Sequence, residues 1–164
     1  LRDLPTPEVL GKFAERYPDA DVTAIASFLY LLRVATDLSL ALDTCLSKHD
    51  LLQGRWWVLI LLMREESTIS TPSILADKLG VTRATMTGLL DGLEQNGLVT
   101  RVFAKEDRRS VKIQLTTAGQ AKLDVVMPDY YRRLRQCMEA LDEEKRVQLQ
   151  QLLGLINKGI PALI

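Results

Sequence analysis

The chain has 164 residues, with 21 basic and 21 acidic side chains and one histidine, so its formal net charge is zero. That length is enough to bury a core, as one domain or as two small ones. The neutral balance excludes a non-specific nucleic-acid coat, which needs a large basic excess. The two cysteines lack metal-ligand spacing, so no metal site and no cofactor are expected. The charge is unevenly placed. Residues 1–68 carry more acids than bases, whereas 69–116 carry more bases than acids, with Arg101, Lys105, Arg108, Arg109 and Lys112 close together. A local basic patch on a neutral chain fits site-specific binding assisted by phosphate contacts. No signal peptide is visible, and no apolar run reaches membrane length: Trp56 to Met63 is far too short to span a bilayer. The expectation is a cytoplasmic protein with no membrane partner.

Leu4 to Tyr17 contains Pro5, Pro7 and then Val9, Leu10 and Phe13, and holds a short helix stopped near Pro18. Val22 to Leu46 reads as a long one. Ile25, Leu29 and Leu32 recur at helical spacing, Leu38, Leu42, Cys45 and Leu46 continue the stripe, and Phe28, Leu31 and Leu40 widen it. A helix this apolar must pack on more than one side. Within it, Arg33 can snorkel, pair across a dimer with Asp37 or Asp43, or hold an anionic ligand. Arg55 to Glu66 is nearly continuous in hydrophobicity and should be buried. Trp56 and Trp57 point about 100° apart on such a helix, so one can line a cavity while the other packs. Arg33, Trp56 and Trp57 are the candidate ligand-binding residues.

The stretch Thr71 to Gly119 organises the rest. Ser67 to Ser70 can add a short strand. Thr71 is a good N-cap for a helix with Pro72 at its first position and Gly80 at its end. Thr82 caps a second helix, ended by Gly97. Met86, Leu89, Leu90 and Leu93 form its inner face, and Arg83, Thr85, Thr87 and Gly88 form a small, polar outer face. A face of that kind can enter a major groove about 12 Å wide. Leu98 to Phe103 and Ser110 to Leu115 read as strands joined by the polar loop Ala104 to Arg109. Two short helices followed by a two-stranded hairpin with a charged tip form a winged helix-turn-helix. The candidate DNA contacts are Thr71, Ser73, Thr82, Arg83, Thr85, Thr87, Gly88, Arg101, Arg108, Arg109 and Ser110, with Asp107 supporting the wing.

Thr116 then caps a long helix with Leu123, Val126, Tyr130, Leu134, Cys137 and Leu141 on its stripe and Pro128 inside it, which predicts a kink near 124–128. Asp142 caps the last helix, which carries Leu149, Leu152, Leu153 and Ile156 and ends at Gly159 and Pro161. Cys45 and Cys137 both fall on apolar stripes, where core packing is the default. The fold class expected is mainly α with a small β wing. Residues 1–50 and 117–164 supply dimerisation helices, and 51–116 the DNA-binding domain inserted between them. His49, beside Asp50, has no catalytic partner placed by sequence. Neither a phosphate-cradling glycine loop nor a nucleophile elbow is present, so no catalytic residues and no enzyme are expected.

The run Asp107-Arg108-Arg109-Ser110, then Leu115-Thr116, then Gly119 resembles the wing signature of the MarR family of transcription regulators, Asp-x-Arg-Ser, four residues, Leu-Thr, two residues, Gly. Every fixed position is filled. Val81-Thr82-Arg83 and Leu93-Glu94-Gln95-Asn96-Gly97-Leu98-Val99 are similar to the family's recognition helix and its exit into the wing. The resemblance implies a homodimer, most often a repressor, that binds a pseudo-palindromic double-stranded operator and responds to a small-molecule effector. It places Arg109 at the minor groove, where a narrow A·T tract concentrates negative potential, and Arg108 on phosphate. The extra N-terminal helix is similar to that of the urate-responsive branch, whose ligand set includes an early tryptophan; here no Trp precedes Trp56. In the peroxide-sensing branch the reactive cysteine stands where this chain has Ala24 to Phe28. The alternative from another class is a winged-helix protein-interaction module without DNA binding. The clustered arginines argue against it.

Overall fold

The computed structural model describes residues 3–103 and 111–164, in two compact units, 1–120 and 121–164. The elements run α1 (Pro7–Arg16), α2 (Val22–Ser47), α3 (Gln53–Met63), β1 (Ile69–Ser70), α4 (Pro72–Leu79), α5 (Arg83–Gln95), β2 (Val99–Phe103), β3 (Val111–Leu115), α6 (Thr117–Cys137), α7 (Glu143–Gly159) and a closing 3₁₀ turn, Ile160–Leu163. The mainly helical class with a small antiparallel sheet is therefore the observed one.

Hydroxyl and carboxylate caps start the helices. Thr6, Thr71 and Thr82 each accept from the backbone N–H three residues on, and Asp21 accepts from Thr23 and Ala24. Gly80 ends α4 at φ 68°, ψ 33°, and Gly97, also at φ 68°, follows α5. A side chain there would be held in the left-handed region that L-residues disfavour. Helix α3 starts two residues earlier than expected and stops at Met63. Its Trp56, Val58, Leu59, Ile60 and Leu62 are buried, as its near-continuous hydrophobicity requires. Leu75, Met86, Leu90, Leu93 and Ile113 complete the core beside it. The sheet order is β1-β3-β2, all antiparallel, with Arg101 opposite Ile113 and Ser70 also opposite Ile113 on the other edge.

Two expectations are corrected. First, α2 is long and apolar enough to cross a membrane by length and composition. Its apolar residues are interrupted by Arg33, Asp37 and Asp43 and by Thr and Ser, so it shows no unbroken run in the sequence. Second, Cys137 is exposed, whereas Cys45 is buried as expected. A stripe position is buried only if another element covers it, and no residue of α7, the other helix of that unit, is buried either. Within Leu4–Tyr17 the short helix α1 runs from Pro7 to Arg16, with Thr6 as its N-cap, and stops before Pro18 as expected. Pro128 lies inside α6, which is helical from Thr117 to Cys137.

Candidate nucleic-acid interface

The two faces of α5 separate cleanly. Met86, Leu90 and Leu93 are buried, while Arg83, Ala84, Thr85, Thr87, Gly88 and Asp91 are exposed. At about 100° per residue these exposed positions form the side opposite the core. Three of the candidate hydroxyls already hold the helix. Thr82 Oγ1 accepts from Thr85 N at 3.1 Å and shares a hydrogen bond with Thr85 Oγ1 at 2.9 Å. Thr87 Oγ1 donates to Arg83 O at 3.0 Å, so its lone pairs, not its proton, remain for a base edge. At α4, Thr71 Oγ1 accepts from Ile74 N at 3.3 Å and lies 3.1 Å from Ser73 Oγ. Gly88 is exposed, and a Cβ added there would meet nothing within 4 Å.

Arg101, expected as a DNA contact, is held elsewhere. From β2 its Nη2 reaches Asp91 Oδ1 at 2.6 Å, its Nη1 donates to Glu94, and its backbone N–H donates to Glu94 Oε1 at 3.1 Å. The Asp91 hydrogen bond, with Glu94 beside it, raises the guanidinium pKa further. The side chain thus fastens the root of the wing to the last turns of α5. The signal was present in sequence as two acids three apart on a helix face, but only the fold brings β2 across them.

The second half of the wing signature has a structural job. Leu115 is buried. Thr116 Oγ1 accepts from Gly119 N at 3.0 Å, capping α6, and donates to Gly97 O at 2.7 Å. A Cβ at Gly119 would lie 2.1 Å from Leu98 O, so only glycine lets α6 start against the α5–β2 turn. Asp107, Arg108, Arg109 and Ser110 lie outside the described residues.

The ligand candidates are not alike. Trp56 is buried and Trp57 half-buried, their ring centroids 4.5 Å apart at 52°. Arg33 Nε pairs with Asp37 of its own helix at 2.6 Å, one of the partners considered for it, but within the chain.

A recognition helix, a wing and the supporting helix α4 define a winged helix-turn-helix DNA-binding protein. The MarR family model matches residues 53–111. The HTH-type transcriptional repressor YetL of Bacillus subtilis (strain 168) is 31% identical over 154 residues, 94% of this chain and 92% of that protein. The HTH-type transcriptional regulator PecS of Dickeya dadantii (strain 3937) is 32% identical over 160 residues, covering 97% and 96%. Among solved structures, Sco3205, a MarR family regulator from Streptomyces coelicolor in complex with DNA, superposes with TM-score 0.75 at 23% identity, over 81% of this chain and 85% of that one. The chain belongs to the MarR family and is a DNA-binding transcription regulator. The reading as a protein-docking module without DNA binding is set aside.

Proposed function

We propose that the chain represses transcription as a cytoplasmic homodimer on a pseudo-palindromic operator, under control of a small-molecule effector. In this reading residues 1–50 and 117–164 make the dimer and 51–116 read DNA. The observation that carries the dimer is the state of α7. None of its residues is buried, and Leu152, Leu155 and Ile156 are 58%, 64% and 48% exposed. Phe28, Leu32, Leu38 and Leu40 of α2 are likewise exposed. Apolar patches of this extent mark association surfaces. On α2, a protein partner accounts for the surface better than lipid does, because Arg33 and Asp37 form an ion pair on that helix.

Thr71, Ser73, Thr82, Arg83, Thr85, Thr87 and Gly88 would face the major groove, with Arg108, Arg109 and Ser110 on the wing and Asp107 ordering it. Arg101 would brace that arrangement from the Asp91 and Glu94 flank of α5. Arg33, Trp56 and Trp57 remain the effector candidates. Selection of bound duplexes from a random pool tests the operator. The expected product is a palindrome with half-sites about one helical turn, ~10 bp, apart. A single non-repeated motif refutes the symmetric reading. Sedimentation at micromolar concentration should give a dimer, and a stable folded monomer refutes it.

A further inference from the structure

Beside the outward face of α5 lies an arginine that the sequence reading did not single out. Arg55 projects from the first turn of α3, which packs against α5. A Cβ on Gly54 would lie 2.9 Å from Leu89 Cδ2, and one on Gly92 would lie 2.0 Å from Arg55 Nη2 and 2.4 Å from Arg55 Cζ. The guanidinium of Arg55 thus occupies the space that any side chain at 92 would fill.

Gly92 is four residues after Gly88, about 40° around the helix, and so lies on the flank of the exposed face. It is nevertheless buried, while Gly88 is open. Arg55 itself is half-buried, and among the described residues no carboxylate or carbonyl holds its guanidinium. The nearby acids of α5 are already taken, because Asp91 and Glu94 both pair with Arg101 on the other flank. A planar, permanently charged group is therefore laid along the edge of the recognition helix, fixed by packing rather than by a counter-ion. Ordering a long cation beforehand lowers the entropy lost when it binds.

We infer that Arg55 is a DNA-binding residue that contacts a backbone phosphate flanking the major groove read by α5. It positions the helix and does not select bases. The inference rests on α5 being the groove-reading helix. Glycine at 92 is part of the device, since a side chain there would displace the guanidinium.

Salt dependence tests it, because each phosphate contact contributes about 0.9 to the slope of log K against log [salt]. For Arg55→Met on a duplex selected by the wild type, the slope should fall by about 0.9 per subunit, with the selected sequence unchanged. Arg55→Lys should keep the slope, since the charge remains. Gly92→Ala should lower the slope with no change of charge, by pushing the guanidinium aside. An Arg55→Met slope equal to wild type overturns the inference, even if affinity drops, because the loss is then one of packing. Where Arg55→Met does not fold, Gly92→Ala decides by the same two outcomes. A wild type with no salt-dependent binding overturns the parent reading of α5 as well.

Discussion

Gly88→Ala should make the protein more stable and a poorer DNA binder. Gly88 sits in the middle of the 13-residue α5, with no atom within 4 Å of the place a Cβ would take. Alanine there meets no clash and gains about 1 kcal/mol of helix propensity over glycine. In a chain of this size that raises the midpoint of thermal unfolding by roughly 2–4 °C. Nothing packed around this position requires a glycine, so any effect of the methyl on DNA binding is separable from folding. With α5 in the major groove as proposed, a bare Cα would let the helix backbone approach the base edges, and a methyl would hold it off. Losing one base-edge contact costs about 1–3 kcal/mol, or roughly 5- to 160-fold in affinity. Thermal denaturation at matched protein concentration measures the first effect, since association shifts the midpoint by mass action. Fluorescence anisotropy on the selected duplex at fixed salt measures the second. Unchanged or tighter binding by a stabilised Gly88→Ala protein refutes the close approach. A lowered unfolding midpoint refutes the claim that the position is open.

Gly119→Ala should be destabilised by about 1–3 kcal/mol in urea titration, because its Cβ would lie 2.1 Å from the backbone oxygen of Leu98, which cannot rotate away. An unchanged denaturation midpoint would falsify the close packing assigned to the signature glycine. Arg101→Met should cost at most about 1 kcal/mol of stability, since its ion pairs are partly exposed. Its operator affinity should fall by more than that, because the root of the wing is released from α5; parallel losses in the two assays contradict the bracing role. Asp142, capping α7, has its pKa lowered by its hydrogen bonds to Lys145. A lowered folded pKa means the stabilisation is present above the ordinary aspartate value, about 3.9, and disappears as the pH falls through the lowered one. The stability difference between wild type and Asp142→Asn should therefore close in that acid window, and a difference constant with pH contradicts it.

Much of the fold is local and so was legible without coordinates. Caps act within three residues, and Thr71, Thr82, Thr116 and Asp142 each start a helix as read. Gly80 and Gly97 take the left-handed conformation their positions suggested. Amphipathic spacing identified the buried face of α5 because Met86, Leu90 and Leu93 return on one side of a single helix. The candidate surface of Arg83, Thr85, Thr87 and Gly88 followed as the complement of that face, and the wing signature supplied the family.

What the sequence could not contain was distance between elements. Arg101 looked like one more wing cation, and only the crossing of β2 over α5 shows it spent on Asp91 and Glu94. Arg55 had no motif, and its place depends on α3 lying close enough to α5 to fill the gap left by Gly92. Cys137 shared a stripe with buried residues yet is exposed, because periodicity tells which side of a helix is apolar and not whether anything covers it. Near-neighbour rules determine caps, turns and faces over a few residues of chain. Which faces meet, and which charges pair, is decided by contacts between segments far apart in sequence, and those exist only once the chain has folded.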